Sequence, residues 1–566
     1  MKELRKMHKE RPTPSPYGGR QHGRSREKDG LGSARSPESK NSACLQMSSA
    51  RESGDLPRAV SPVVGEQQPQ EGRSRDLWRN TREESDALVV PEKSLKTRVT
   101  PVEKMEGRGA AKGKLAQGNA SRAQERKDAL TRLLRVGQKA KTDKETKFVN
   151  LLSLVKAPLL REAYLQLKKH AAAGIDGMTW QEYGRDLEAR LADLQDRIHR
   201  GSYHPPPVRR VRIPKPDGKT RPLGIPTLED KIVQQAVRMV LEPVYEPVFR
   251  GFSYGFRPKR SAHDALDELG HAIVKGRTDW VLDADIRSFF DTMDHEWMKK
   301  FVEHRIGDTR LVRLLMKWLK AGVMEDGTRS EVTEGTPQGG VISPLLANIY
   351  LHYVLDLWVE QWRKRNARKQ MCIVRYADDV VMTFEDEQDA REMQTALGER
   401  LKGFGLQLHE DKTRLIRFGR YAKERSKALG VKTETFDVLG FTHSCGVNRY
   451  NGWFELIRRT SQKKRQRKLS ELTRELRLRR HENPRITHAW LLSVLRGYDA
   501  YYAVPTNDGS LRGFRKCLRD AWTRQLERRG DRGRFNVRQH LRFKKRFPFP
   551  KVKIRHPWPE IRFRLR

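Results

Sequence analysis

Asp378 and Asp379 stand side by side between two apolar, β-branched runs, Cys372-Ile373-Val374-Arg375-Tyr376-Ala377 and Val380-Val381-Met382-Thr383-Phe384. That pattern predicts a β-hairpin carrying both carboxylates at its tip. Adjacent like charges repel, so a fold that holds them together usually needs a cation. Two Mg²⁺ ions about 3.5–4 Å apart, held by aspartate oxygens, can activate a 3′-hydroxyl and stabilise a leaving pyrophosphate. An exposed Asp-Asp turn has the same composition, and the pair alone does not separate the two readings.

More carboxylates come earlier. Trp280-Val281-Leu282-Asp283-Ala284-Asp285-Ile286 reads as a strand in which Asp283 and Asp285 share one face, with Phe289-Phe290-Asp291 just beyond. Laid beside the hairpin, that strand brings Asp285 close to Asp378 and Asp379. The elements around them alternate in type. Ser261-Ala262-His263-Asp264 starts a capped helix that Gly276 closes. Gly335-Thr336-Pro337-Gln338-Gly339-Gly340-Val341-Ile342-Ser343-Pro344 is a glycine-rich loop leading into a helix with Leu346, Ile349, Tyr353 and Leu357. After the hairpin, Met393, Leu397, Leu401 and Phe404 mark another amphipathic helix, and Leu406–Leu408 and Thr413–Phe418 read as strands flanking Lys412. This order is α+β, built on an antiparallel sheet. Upstream, Val208–Pro226 alternates apolar and basic residues around Pro216-Asp217-Gly218, a two-stranded hairpin whose cationic face suits a triphosphate, a template backbone or plain solvent.

Lysine and arginine number 115 against 72 acidic residues in 566, a net charge of +43. Such an excess points to a polyanionic partner, as nucleic acid would be, without naming an activity. Cys44, Cys372, Cys445 and Cys517 form no C-x-x-C pair, which argues against a zinc finger, a paired-cysteine nuclease module and a disulfide framework. A reducing, cytoplasmic setting fits, with no transmembrane run and no signal peptide. Residues 1–124 are Ser-, Gly-, Pro- and charge-rich with Tyr17 and Trp78 as their only aromatics, and are expected to be disordered, as a tether or as a basic arm. From about Ile457 the pattern turns helical and basic: Leu469, Leu472 and Leu476 mark one face, and Leu511, Phe514, Leu518, Trp522 and Leu526 another. Lys463, Arg467, Arg474, Arg515, Arg519 and Arg524 are expected on a phosphate-facing groove. The tail 531–566 interleaves Phe543, Phe547, Phe549, Trp558 and Phe563 with cations, which suits base stacking or packing of a short tail.

With these residues in place, the chain from about Lys127 onward resembles bacterial group II intron-encoded reverse transcriptases and maturases. Tyr376-Ala377-Asp378-Asp379 resembles the catalytic tetrapeptide, and Asp285 with Phe289-Phe290-Asp291 resembles the strand of the first metal-binding aspartate. Thr336–Pro344, Arg221–Pro226, Gly174-Ile175-Asp176-Gly177 and Leu439-Gly440-Phe441 resemble further family motifs in the family's order. The resemblance implies a right-hand polymerase with fingers at 125–260, a palm at 261–450, a helical thumb and maturase domain at 451–530, and a nucleic-acid-binding tail at 531–566. It implies that Asp285, Asp378, Asp379 and the Ile286 carbonyl hold two Mg²⁺ ions. By the same likeness Phe290 excludes a 2′-hydroxyl, Lys219 and Arg221 grip the triphosphate of a dNTP, and Gln338 touches the nucleotide. Gly339 shapes the nucleotide and template site, and Lys412 lies near the primer. The partners implied are intron RNA, an RNA template with a DNA primer, and target DNA, with the enzyme nucleoid-associated when on DNA; oligomeric state is not implied. Lacking a paired-cysteine endonuclease, the chain would take its primer from elsewhere. Two other readings share these motifs: an RNA-binding splicing cofactor with vestigial synthesis, and a domesticated relative in defence or repair.

Overall fold

The computed structural model describes residues 112–214, 220–325, 328–330, 335, 339–529, 535–558 and 561, all within the unit 71–566. Eleven strands among them form three sheets: β1 (Val208–Pro214), β2 (Thr220–Ile225), β3 (Trp280–Asp285), β4 (Val323–Glu325), β5 (Thr328–Ser330), β6 (Met371–Tyr376), β7 (Asp379–Phe384), β8 (Arg414–Arg417), β9 (Phe436–Val438), β10 (Phe441–Val447) and β11 (Phe454–Thr460).

The central sheet runs β6-β7-β3-β8, antiparallel throughout. Both of its faces are covered, and alternation along each strand decides which residue goes where. Leu282, Ile373, Val380 and Met382 join a large core with helices Ser343–Leu351 and Glu387–Lys402. Val281, Val374, Val381 and Ile416 face the other way, onto Ala265, Leu269 and Ile273 of helix Ala262–Lys275 and onto Phe436, Cys445 and Leu456. That helix begins with a capping box between Ser261 and Asp264 and ends at Gly276, where the sequence placed both signals.

The basic hairpin is not two-stranded. β1 pairs antiparallel with β2 and in parallel with β4, giving a sheet β2-β1-β4-β5. Only Val208 and Arg209 meet β4, so the rest of β1 extends past β4 paired with β2 alone, with Val211 and Ile213 exposed beside its arginines. Leu406–Leu408, expected as a strand, makes a single bridge from Leu408 to Ile286.

Three boundaries shift. Helix Lys112–Thr142 overruns the expected limit of disorder at 124; residues 1–111 lie outside the described set. Its second half is held by packing, with Leu133 and Ala140 buried and Gly137 against Pro243. The boundary at 451 falls inside a sheet, because β11 pairs with β10 over its full length and the helices begin at Gln462. Arg458 of β11 is buried, and its guanidinium donates to the Leu266 carbonyl of helix 262–275, which ties this sheet to the helix. The tail is no separate element either. Phe543, Phe547 and Phe549 pack around Trp522 and His488 in the core of helices Gln462–Leu478, Pro484–Tyr502 and Asp508–Glu527. Leu472, Leu476, Leu511, Phe514, Leu518 and Trp522 are buried there as their spacing predicts. Arg515 is not in a groove: it is buried and paired with Asp499 at 2.6 Å. Among the described residues no helix is long and apolar enough to cross a membrane.

Candidate active site

β6 and β7 pair from Met371↔Phe384 to Tyr376↔Asp379, leaving Ala377 and Asp378 as the two turn residues. So tight a turn needs a left-handed residue, and Ala377 takes it at φ +60°. Asp379 opens β7 and stands opposite Asp285, the last residue of β3. Residues directly opposite share a face, so Asp285, Asp379 and Asp283, which is opposite Val381, line one side of the sheet. The strand alternation that buries Val281 and Val381 carries these carboxylates to the end of the same row.

The hairpin is braced from behind. Segment 252–255 adds itself to the edge of β6, with Arg375 N–H donating to the Phe252 carbonyl (2.9 Å) and Tyr254 N–H to the Arg375 carbonyl (2.8 Å). A Cβ on Gly255 would come within 2.3 Å of the Ala377 nitrogen, so only glycine lets this loop reach the turn. Arg375 itself is fully buried. Its guanidinium makes a bidentate pair with Asp356 (2.7 and 2.6 Å) and donates to Asn348 Oδ1 (3.0 Å) and to the Ala377 carbonyl (2.9 Å). Asn348 in turn donates to the Gly255 carbonyl at 2.8 Å. A buried charge survives only when paired and fully bonded, and this network ties turn, loop and helix together. Sequence reading missed it. The available signal was an arginine in the middle of an otherwise apolar strand.

In front of the turn lies a cavity of about 420 Å³, lined by Leu223, Phe256, Phe290, Gly339, Gly340, Ser343, Pro344, Tyr376, Ala377, Asp378 and Asp379. Phe290 stands edge-on to Phe289, their centroids 5.4 Å apart. Gly339 has φ +115°, and a Cβ there would meet the Gly224 carbonyl at 2.4 Å, so the glycine loop rests directly on β2. Arg221 lies in β2 opposite Ile213 and is placed by its backbone alone; Lys219 and Gln338 lie outside the described residues.

Burial, together with the charges of Asp378, Asp285 and Asp283, pushes the Asp379 carboxyl up to about 7, and Lys412 opposes the rise. Burial likewise pushes Asp283 up to about 6, with Arg414 drawing it down. The Asp285 carboxylate accepts from Lys412 Nζ at 2.5 Å. Among the described residues no three acidic or histidine side chains are gathered tightly enough to clasp an ion as they stand. The donor set nonetheless suits a hard divalent cation: carboxylate oxygens, partly desolvated, with mutual repulsion that an ammonium already offsets. Ile286 fits the same side. The Asp285 carbonyl and Arg287 N–H bond to His409 and Gln407 (both 2.8 Å), so alternation turns the Ile286 carbonyl toward the hairpin.

Comparison with known proteins agrees with this geometry. Residues 213–443 match the family model described as reverse transcriptase (RNA-dependent DNA polymerase). Over 237 residues the chain is 41% identical to Protein YkfC of Escherichia coli, covering 41% of this chain and 62% of the relative. Over 217 residues it is 39% identical to the group II intron-encoded protein LtrA of Lactococcus lactis, covering 38% of this chain and 36% of that protein. A shorter stretch of 131 residues, 23% of the chain, is 34% identical to 16% of nuclear intron maturase 4 of Arabidopsis thaliana. The chain therefore spans less than two thirds of the length of each of these relatives. The Asp285 and Asp378–Asp379 strands lie inside the segment that matches the reverse transcriptase model, and that part of the chain is similar to a group II intron-encoded protein.

Proposed function

We propose that the chain is an RNA-directed DNA polymerase of the group II intron-encoded kind, and that it also binds intron RNA as a maturase for splicing and retrohoming. The observation that carries the reading is the register Asp285↔Asp379, which sets two carboxylates opposite each other beside Asp378 at a cavity walled by Phe290 and Gly339. In this reading the central sheet and its helices are the palm, extended to Thr460, residues 125–260 the fingers, and the helices from Gln462 the thumb.

Asp285, Asp378, Asp379 and the Ile286 carbonyl would hold two Mg²⁺ ions. Bound there, the ions supply Lewis acidity for the primer 3′-hydroxyl and charge for the leaving pyrophosphate. The protein's own groups do the rest. Phe290 packs against Phe289 and so offers a fixed apolar wall to the sugar of an incoming dNTP, rejecting a 2′-hydroxyl by bulk. Leu223, Phe256 and Pro344 exclude water from the same space. Lys219, Arg221 and Gln338 are assigned to the triphosphate and base, and Gly339 to template passage. The excess of cations supports an RNA template, DNA primer and target DNA as polyanionic partners, in the cytoplasm of a bacterial cell.

The test is extension of a DNA primer on an RNA template with Mg²⁺ and dNTPs. Asp378→Ala should lower extension by at least about a thousandfold while RNA affinity stays within about twofold, because the carboxylate serves transition-state charge rather than backbone binding. Loss of RNA binding by the variant would sink the assignment. If the parent fails to extend while binding structured RNA tightly, the protein is an RNA-binding splicing cofactor instead.

A further inference from the structure

The turn that follows the helix Glu387–Lys402 is tied to Asp285 at both backbone groups. His409 N–H donates to the Asp285 carbonyl at 2.8 Å, and Asp285 N–H approaches Thr413 Oγ1 at 3.5 Å. The turn is closed on itself by Thr413 N–H and Lys412 N–H, which donate to the His409 carbonyl at 2.8 and 3.1 Å. Lys412 projects from this pinned frame, and its ammonium reaches the Asp285 carboxylate at 2.5 Å. A long lysine on a free loop would sample many rotamers; here the stem starts from a turn whose position is set by the residue it neutralises. The ammonium therefore stands on the carboxylate that the proposed function assigns to a divalent cation.

We propose that Lys412 is a tethered counter-cation that holds Asp285 in the ion-free protein and must yield it when the divalent ion enters. The inference rests on the metal-site reading above. It makes Lys412 a positioning residue, acting through Asp285 rather than on the primer. Two consequences follow from electrostatics alone. In the absence of divalent ions the ammonium offsets repulsion among Asp285, Asp378 and Asp379, and in their presence it competes. Removing the charge should then weaken the ion-free protein and tighten the ion.

The experiment is a Mn²⁺ titration of the full chain, with free ion read from its electron paramagnetic resonance signal, beside thermal melting in chelator. The proteins are the parent, Lys412→Gln, Lys412→Arg and Asp285→Asn. Lys412→Gln is expected to bind Mn²⁺ about two- to fivefold more tightly than the parent, the range for losing one partly exposed charge contact. It should also melt lower in chelator and gain more from added Mn²⁺. Lys412→Arg keeps the charge and should behave like the parent. Equal Mn²⁺ affinity in parent and Lys412→Gln, with Asp285→Asn weakened, overturns the counter-cation and leaves the metal site standing. No saturable Mn²⁺ binding by the parent overturns the metal-site reading and the inference with it.

Discussion

Carboxyl groups in this molecule illustrate how one functional group takes different roles from different surroundings. Asp356 is fully buried yet matched by the two-pronged Arg375 guanidinium, whereas Asp379 is crowded by three acids and pushed up to about 7, burial being the largest cause. Matched charge makes a brace; mismatched charge asks for a cation. Glu268 is a third case, on helix 262–275 and away from the reacting groups. Burial pushes its carboxyl from 4.5 up to about 7, against the pull of a hydrogen bond from Tyr254 and the charge of Arg260. Its folded-state pKa lies above the unfolded value, so the folded chain keeps a proton that the unfolded chain has released. The stability it contributes is complete below about pH 4.5 and lost as pH rises through about 7. Glu268→Gln should flatten that slope and be the more stable protein above pH 7, by up to roughly 3 kcal/mol. Urea denaturation at intervals from pH 4 to 8 measures this; parallel curves for the two proteins would refute it.

At the level of elements, the Ala377–Asp378 turn owes its position to neighbours rather than to its own strands. A hairpin alone is marginal in water, and here β3 lies along one side of it while segment 252–255 closes the other. The helix that carries Asn348 passes into a π-turn at His352–Asp356, which sets Asp356 against Arg375. Such insertions recur at functional sites because they re-aim one side chain without ending the helix. Gly255→Ala tests the coupling. Its added Cβ would press on backbone atoms of Tyr376 and Ala377, which cannot give way as a flexible side chain can. Extension should fall by about tenfold or more, with a stability loss of about 1–3 kcal/mol from overpacking. Full activity in Gly255→Ala would show that the loop does not position the turn.

Across the whole molecule, the C-terminal segment is a strap rather than a free arm. Phe547 and Phe549 seat on Trp522 and His488, Arg555 and His556 N–H groups donate to the Ala503 carbonyl (2.8 and 3.1 Å), and Trp558 lies 4.8 Å from the Arg458 guanidinium of β11. His556 also stacks on His263 of helix 262–275 at 3.7 Å. The strap thus joins the helical layer to the sheet layer, and Phe543, Phe547, Phe549 and Trp558 are engaged in packing; Phe563 lies outside the described residues. Phe547→Ala should cost about 3 kcal/mol, as a large buried ring replaced by a cavity does. Urea denaturation followed through tryptophan fluorescence reads the loss directly, and an unchanged midpoint would mean that the tail is not part of this core.

What the sequence by itself determined is local and periodic. Alternation placed Asp283 and Asp285 on one face, the β-branched runs placed Asp378 and Asp379 at a tip, and the Ser261 and Gly276 signals bounded their helix. The order of short motifs carried the resemblance to reverse transcriptases, since each needs only a few neighbouring residues. Only the tertiary structure decided the partners. Arg375 meets Asp356 and Asn348, Lys412 meets Asp285, and Phe547 meets Trp522. Nothing in a 2.0 or 3.6 residue period specifies which distant charge will meet a given arginine, because that choice is made by close packing of surfaces formed from separate segments. For the same reason Arg515 read as a groove-facing cation until burial showed it bonded inside to Asp499.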